Sequence, residues 1–198
     1  TNGACAGQYS VTRTWTATDA CGNISTSSQT INVQDVDAPV IAALPATTTI
    51  NCPATPVFAT ATAVDACASA FTLTSADVTT NGACAGQYSV TRTWTATDAC
   101  GNSSTASQTI NVQDVDAPVI AALPATTTIN CPATPVFATA TAVDACGSAF
   151  TLTSNDVTTN GACAGQYSVT RTWTATDGCG NVSTASQTIN VQDVTAPT

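Results

Sequence analysis

A 23-residue stretch, TNGACAGQYSVTRTWTATDACGN, occurs three times, at Thr1–Asn23, Thr80–Asn102 and Thr159–Asn181, with one change, Ala20 and Ala99 becoming Gly178. The copies start 79 residues apart, at positions 1, 80 and 159. That period is the strongest constraint on what the chain can fold into. A 198-residue chain holding two and a half copies does not build one large core. Each unit of about 80 residues must bury its own, and a core of that size is marginal without staples.

The staples are ten cysteines: Cys5, Cys21, Cys52, Cys67, Cys84, Cys100, Cys131, Cys146, Cys163 and Cys179. Each full period carries four at fixed spacing, which reads as a disulfide framework and an oxidising, extracellular compartment. Thiolate zinc sites are disfavoured, because the sequence has no histidine and no Cys-x-x-Cys pair.

The Pro-containing linkers phase the repeat. Thr1–Gln34 reads as the C-terminal half of a domain, 35–113 and 114–192 as complete domains, and 193–198 as the start of the next linker. Because the numbering opens mid-repeat, the chain reads as part of a longer secreted protein whose targeting signals lie elsewhere. Short runs of Val, Ile, Thr and aromatics alternate with Gly, Pro, Asn and Asp, and helix signals are absent. Strands are expected near Val40–Ala43, Thr47–Asn51, Val57–Val64, Phe71–Ser75, Tyr88–Thr97 and Thr105–Gln113, with a short one near Asp77–Thr80. The fold class is all-β: tandem immunoglobulin-like antiparallel β-sandwiches with two disulfides per domain.

Alternation along Tyr88–Thr97 puts Tyr88, Val90, Arg92, Trp94 and Ala96 on one face, which must point inward. Tyr88, Trp94, Tyr167 and Trp173 are therefore the expected core aromatics. Val57, Ala59, Ala61 and Ala63 form a small-residue face with room for Trp94. Arg92 on the inward face has two readings. It is a ligand-binding cation, or its stem covers the core edge while the guanidinium pairs with an aspartate or Gln108.

Strand length limits the cysteine pairing. Cys84 and Cys100 flank a strand about 30 Å long, and Cys52 and Cys67 flank another, so neither pair is within disulfide reach. Pairing by shared strand ends gives Cys52–Cys84, Cys67–Cys100, Cys131–Cys163 and Cys146–Cys179. The alternative set joins Cys52 to Cys100 and Cys67 to Cys84.

The motifs DVDAPVI, INCP, ATAVDAC, TWTATDACGN and TINVQD together resemble the hyalin-repeat (HYR) group of immunoglobulin-like domains, over the whole period. Highly similar tandem copies are also similar to the repeat regions of giant SprB-type surface adhesins of gliding Bacteroidetes. The resemblance implies an extracellular adhesin that builds long stalks or filaments, with gliding motility or surface attachment as its setting. Hyalin repeats often carry a cysteine in the last strand. Thr105–Gln113 has none, and Cys84 appears instead, so the family's disulfide pattern does not transfer.

Catalysis is disfavoured. With no His, Glu or Lys, the chain cannot assemble a Ser/His/Asp or Cys/His site or a lysine base. The twelve acidic residues are all aspartates, against three arginines, so a net charge of −9 argues against nucleic acid and anionic membranes. No apolar run reaches a membrane span. Calcium is the one cofactor the sequence points to, held by Asp35 and Asp37 at one boundary and Asp114 and Asp116 at the next. Asn23, Asn102 and Asn181 match the N-glycosylation pattern in an exposed turn.

Two functions follow. In the first, the repeats are a protease-resistant stalk of an adhesin, each adding roughly 40 Å of length and contacting its neighbours along the chain or chains alongside. In the second, each repeat binds a glycan or surface and affinity comes from multivalency.

Overall fold

The computed structural model describes residues 1–3, 5, 7–67 and 70–196, and among these it contains strands and no helix. In chain order the strands are β1 (Tyr9–Thr18), β2 (Ile24–Val33), β3 (Val40–Ile41), β4 (Thr48–Asn51), β5 (Ala63–Val64), β6 (Phe71–Asn81) and β7 (Tyr88–Asp98). They continue as β8 (Ser103–Gln113), β9 (Val119–Ile120), β10 (Thr127–Asn130), β11 (Ala142–Val143), β12 (Phe150–Asn160), β13 (Tyr167–Asp177) and β14 (Val182–Gln192).

Each complete repeat pairs a four-stranded sheet with a two-stranded one: β4-β8-β7-β6 with β3-β5, then β10-β14-β13-β12 with β11-β9. The long strands are antiparallel neighbours, as hairpin-connected, Thr-rich segments dictate. The edge strand β10 departs from the expected antiparallel pattern and runs parallel to β14. The stretch 71–81 is one strand where two were expected.

Alternation on the repeated strand holds. Trp94 and Ala96, like Trp173 and Ala175, are buried, and so are Ile110, Val112, Ile189 and Val191 on the paired strands, where Trp173 lies opposite Ala185 and Ile189 opposite Val169. Tyr88 and Tyr167, expected in the core, are only half-buried. The segment 57–64 departs furthest from expectation, for only Ala63–Val64 joins a ladder. Ala59, Ala61 and Ala63 still face inward and Thr60, Thr62 and Val64 outward, so the expected alternation fails only at Val57 and Phe58. Val57 is exposed, Ala61 is buried, and Phe58 packs edge-on against Trp94 at 6.1 Å.

Arg92 takes the second of its two readings. Its Nε and Nη2 donate to Asp77 at 2.7 and 2.8 Å, and the guanidinium stacks over the Phe58 ring at 4.5 Å. Arg171, Asp156 and Phe137 repeat the arrangement.

Packing divides the chain into two compact units that do not coincide with the sequence repeats. The first comprises Thr1–Thr48, Val57–Thr79 and Val90–Ile110, and the second Thr49–Pro56, Thr80–Ser89 and Asn111–Thr198. Within the first, the β1–β2 hairpin leaves Trp15 50% exposed where Trp94 is 5% exposed. The 198 residues contain no counterpart of 40–81 ahead of that hairpin.

Trp173→Ala should cost about 3–5 kcal/mol, as for other large-to-small core changes. Asp156→Asn should cost far less, because the ion pair is about a third or more exposed and solvent-screened. Urea titration of the oxidised chain checks both, and equal losses would contradict this core assignment.

Candidate functional site

Three disulfides are formed, and each joins one repeat to the next. Cys5 bonds Cys100, Cys52 bonds Cys146 and Cys84 bonds Cys179, with Cα–Cα distances of 5.2, 5.4 and 5.1 Å. Cys21, Cys67, Cys131 and Cys163 are free thiols. This corrects the expected pairs Cys52–Cys84, Cys67–Cys100, Cys131–Cys163 and Cys146–Cys179, and with them the count of two disulfides inside each domain.

The strand-length exclusions stand, since neither Cys84–Cys100 nor Cys52–Cys67 forms. Cys52 and Cys84, expected to pair, both lie in the second compact unit, within Thr49–Pro56 and Thr80–Ser89. They do not bond each other because each lies against an Asp-x-Cys loop of the following repeat.

In the second unit, the Asp144–Ser148 loop is organised by the Asp144 carboxylate, whose Oδ1 accepts from the amides of Cys146 at 2.9 Å and Ser148 at 3.1 Å. The Asp177–Asn181 loop is built the same way, with Oδ1 accepting from Cys179 and Asn181 amides at 2.9 and 2.8 Å and Oδ2 from Asn181 Nδ2 at 2.8 Å. Such Asx loops fix the cysteine's direction without regular structure.

The loop bearing Cys84 meets them closely. Ser148 Oγ donates to Ala85 O at 2.8 Å and lies 2.6 Å from Asp114 Oδ2. Gly86 has a φ of 86°, and a Cβ there would lie 3.1 Å from both Asp114 Oδ2 and Ser148 Oγ and 3.2 Å from Cys146 Cβ. Both conformation and space therefore require glycine. In the first unit, Gly7 has a φ of 90°, and a Cβ there would lie 3.2 Å from Asp35.

The linker aspartates divide into two kinds. Asp35 and Asp114 are buried, whereas Asp37 and Asp116 are exposed and give them only backbone amides, at 3.3 and 3.2 Å. The carboxylate oxygens that converge on Asp114, within 4.8 Å of one another, are those of Asp144 and Asp177. Chain donors already satisfy most of their lone pairs, and Asp144 Oδ2 is the buried oxygen of the three without a hydrogen bond. In the grouping of Asp114 with Cys52 and Cys146, the disulfide removes both thiolate donors. Burial raises the pKa of Asp177, but the Asn181 side chain and the amides of Asn181, Cys179 and Gly180 outweigh it and hold it below the ordinary 3.8.

Disulfide-clamped tandem all-β domains are the class that this fold and its cysteines define. The HYR-like domain with 4 cysteines matches residues 40–112 and 119–191, and the chain belongs to that family. No curated protein sequence matches. Among solved structures, mouse clustered PcdhgC3 EC1-3 is similar at 16% identity and a TM-score of 0.34, over 95% of this chain and 77% of that one. Drosophila N-cadherin EC1-4 is similar at 13% identity and a TM-score of 0.37, over 93% of this chain and 57% of that one. The chain spans 60% of the matched protocadherin gammaB7 EC3-6 chain. At these values the likeness carries no inference about binding.

Removing Cys84–Cys179 by the paired serine substitutions should cost about 4–5 kcal/mol, the chain-entropy value for a loop near 100 residues. Either single substitution should cost nearly as much as the pair, by chemical denaturation. A pair far worse than either single would contradict a shared bond.

Asp177 has a depressed folded pKa, so its stabilisation is present above 3.8 and lost as pH falls through and below that value. The urea midpoint should stay level from pH 7 to about pH 5 and drop below about pH 4, with a shallower drop in Asp177→Asn.

Proposed function

We propose that the chain is a non-catalytic, load-bearing stalk segment of a secreted cell-surface adhesin. In this proposal 35–113 and 114–192 are successive repeats, with 1–34 and 193–198 parts of their neighbours. The observation that carries it is the span of the disulfides. They join residues 94 or 95 apart, whereas the repeat period is 79, so successive loops overlap. Residues 84–100 lie inside both the Cys5–Cys100 and the Cys84–Cys179 loops.

Overlap makes the covalent network continuous. Under tension, the shortest bonded path runs from Thr1 to Cys5, across to Cys100, back to Cys84, across to Cys179 and on to Thr198. That path holds about 40 residues, or roughly 140 Å at 3.6 Å per residue, against roughly 700 Å for the reduced chain. An array built this way resists extension even when its sheets are disrupted. Near-identity of the copies fits a part that needs length and strength, and the absence of Lys, His and Glu fits a part that performs no reaction.

Disulfides that persist as structure support an oxidising compartment outside the cell as the setting. Membership of the HYR-like family and the tandem near-identical copies support a surface adhesin of the SprB type, with surface attachment or gliding as the setting. Contacts with neighbouring repeats are part of the proposal.

One observation favours the glycan-binding alternative. A cleft of about 330 Å³ is lined by Thr49, Asn81, Gln87, Tyr88, Asn111 and Gln113, and a similar one of about 310 Å³ recurs at the equivalent positions of the next repeat. Amides, hydroxyls and a tyrosine suit a saccharide. Binding on a glycan array that is lost in Tyr88→Ala/Tyr167→Ala would favour it.

Optical-trap stretching through the two termini tests the stalk. The oxidised chain should become taut near 140 Å and the reduced one should extend about fivefold further. Equal extension with and without reductant would contradict a load-bearing covalent network.

A further inference from the structure

Four cysteines are unbonded, and they fall into two structurally distinct pairs. Cys131 and Cys163 are one period on from Cys52 and Cys84, whose partners lie in the following repeat. Cys21 and Cys67 are one period back from Cys100 and Cys146, whose partners lie in the preceding repeat.

The local geometry of the first pair matches the occupied positions bond for bond. The Cys131 amide donates to Gln192 O at 2.9 Å, as Cys52 does to Gln113 O at 3.0 Å. Gln166 N donates to Cys163 O at 3.1 Å, as Gln87 N does to Cys84 O at 3.2 Å. Gln192 Nε2 donates to Asn130 Oδ1 at 3.0 Å, as Gln113 does to Asn51 at 2.9 Å.

What differs is the space beside them. A Cβ on Gly86 would meet Asp114, Ser148 and Cys146 at 3.1–3.2 Å. A Cβ on Gly165, at φ 81°, would meet only Asp193, at 3.6 Å or more. The loop backbone is set for a neighbour in both places, and only the first holds one.

We propose that Cys131 and Cys163 form a two-thiol socket whose partner is a further HYR-like repeat, one that presents two Asp-x-Cys-Gly loops like those at Cys146 and Cys179. Cys21 and Cys67 are the complementary plug. Their amides sit on Asp19 and Asp65 at 2.9 Å, as those of Cys179 and Cys146 sit on Asp177 and Asp144 at 2.9 Å. The proposal deepens the stalk reading and rests on it: each repeat added closes two more bonds and exposes two new thiols, so the ladder propagates.

Each closure joins two thiols into one disulfide and releases two protons and two electrons. A disulfide oxidant of the compartment, protein-borne or oxidised glutathione, takes up the electrons and becomes two thiols. Until then the thiols are held in reserve. Burial and the Asp193 carboxylate push the Cys131 thiol pKa up, and a hydrogen bond to Asp35 followed by burial does the same for Cys67. Thiolate, the species that exchanges, is thereby kept scarce.

The test compares the 198-residue chain with one extended in register by an appended copy of residues 120–198, both refolded with glutathione redox buffer. Free thiols are counted by maleimide labelling after denaturation, and bonds are located by non-reducing peptide mapping. The expected result is four free thiols in both chains, with Cys131 bonded to the appended copy of Cys146 and Cys163 to that of Cys179. Cys131→Ser/Cys163→Ser should leave the appended copies of Cys146 and Cys179 free. Eight free thiols in the extended chain, or a Cys131–Cys163 bond, would overturn the socket. If Cys52–Cys146 and Cys84–Cys179 persist in that case, the stalk reading survives. If they are missing as well, both fall.

Discussion

A disulfide that spans more residues than the repeat period cannot be contained in one repeat. That inequality, 94 or 95 residues against 79, governs most of what is distinctive in this chain. It explains why the compact units cut across the sequence repeats, taking 49–56 and 80–89 together with 111–198. It also explains why buried polar groups gather beside the clamps. The Ser148–Asp114 contact and the Asx loops at Asp144 and Asp177 hold two cysteines in position where no ladder bonds reach. Stability that a core of this size supplies only marginally is supplemented by long-range covalent closure.

The core itself is modest and polar at one edge. Trp94 or Trp173 fills its centre, braced by an edge-on phenylalanine, and the arginine two residues earlier caps that phenylalanine while held by an aspartate on the neighbouring strand. Both complete repeats reproduce these distances to within 0.1 Å. The arrangement keeps the guanidinium at the surface and its stem over apolar atoms, so a charge on the inward face of a strand carries little desolvation cost.

Much of the fold was legible in the sequence because its signals are local. Alternation in YSVTRTWTATD sets which side of β7 faces inward, and Gly and Asn place the turn that follows. Signals failed where local pattern and tertiary pairing diverge. Val57–Thr62 has the composition of a strand but is not one, and Phe58, off the expected inward face, packs against Trp94. The cysteine partners were illegible for a simpler reason. Four cysteines per period give the same count whether a bond closes within a repeat or one period on, and strand length excludes only the pairs across one strand. Likewise, the adjacency of Asp35 to Asp37 and of Asp114 to Asp116 suggested two-carboxylate sites. Backbone direction instead buries the first of each pair and turns the second to solvent.

Trypsin offers the most direct test of the clamps, because the chain has three cleavage sites, Arg13, Arg92 and Arg171, and no lysine. The fragments are 1–13, 14–92, 93–171 and 172–198. Bonds Cys5–Cys100, Cys52–Cys146 and Cys84–Cys179 tie all four together, so the alkylated, denatured and digested chain should run as one covalent species until reductant is added. With pairing confined to single repeats, Cys5 has no partner. The appearance of free Thr1–Arg13 peptide without reductant would contradict the account.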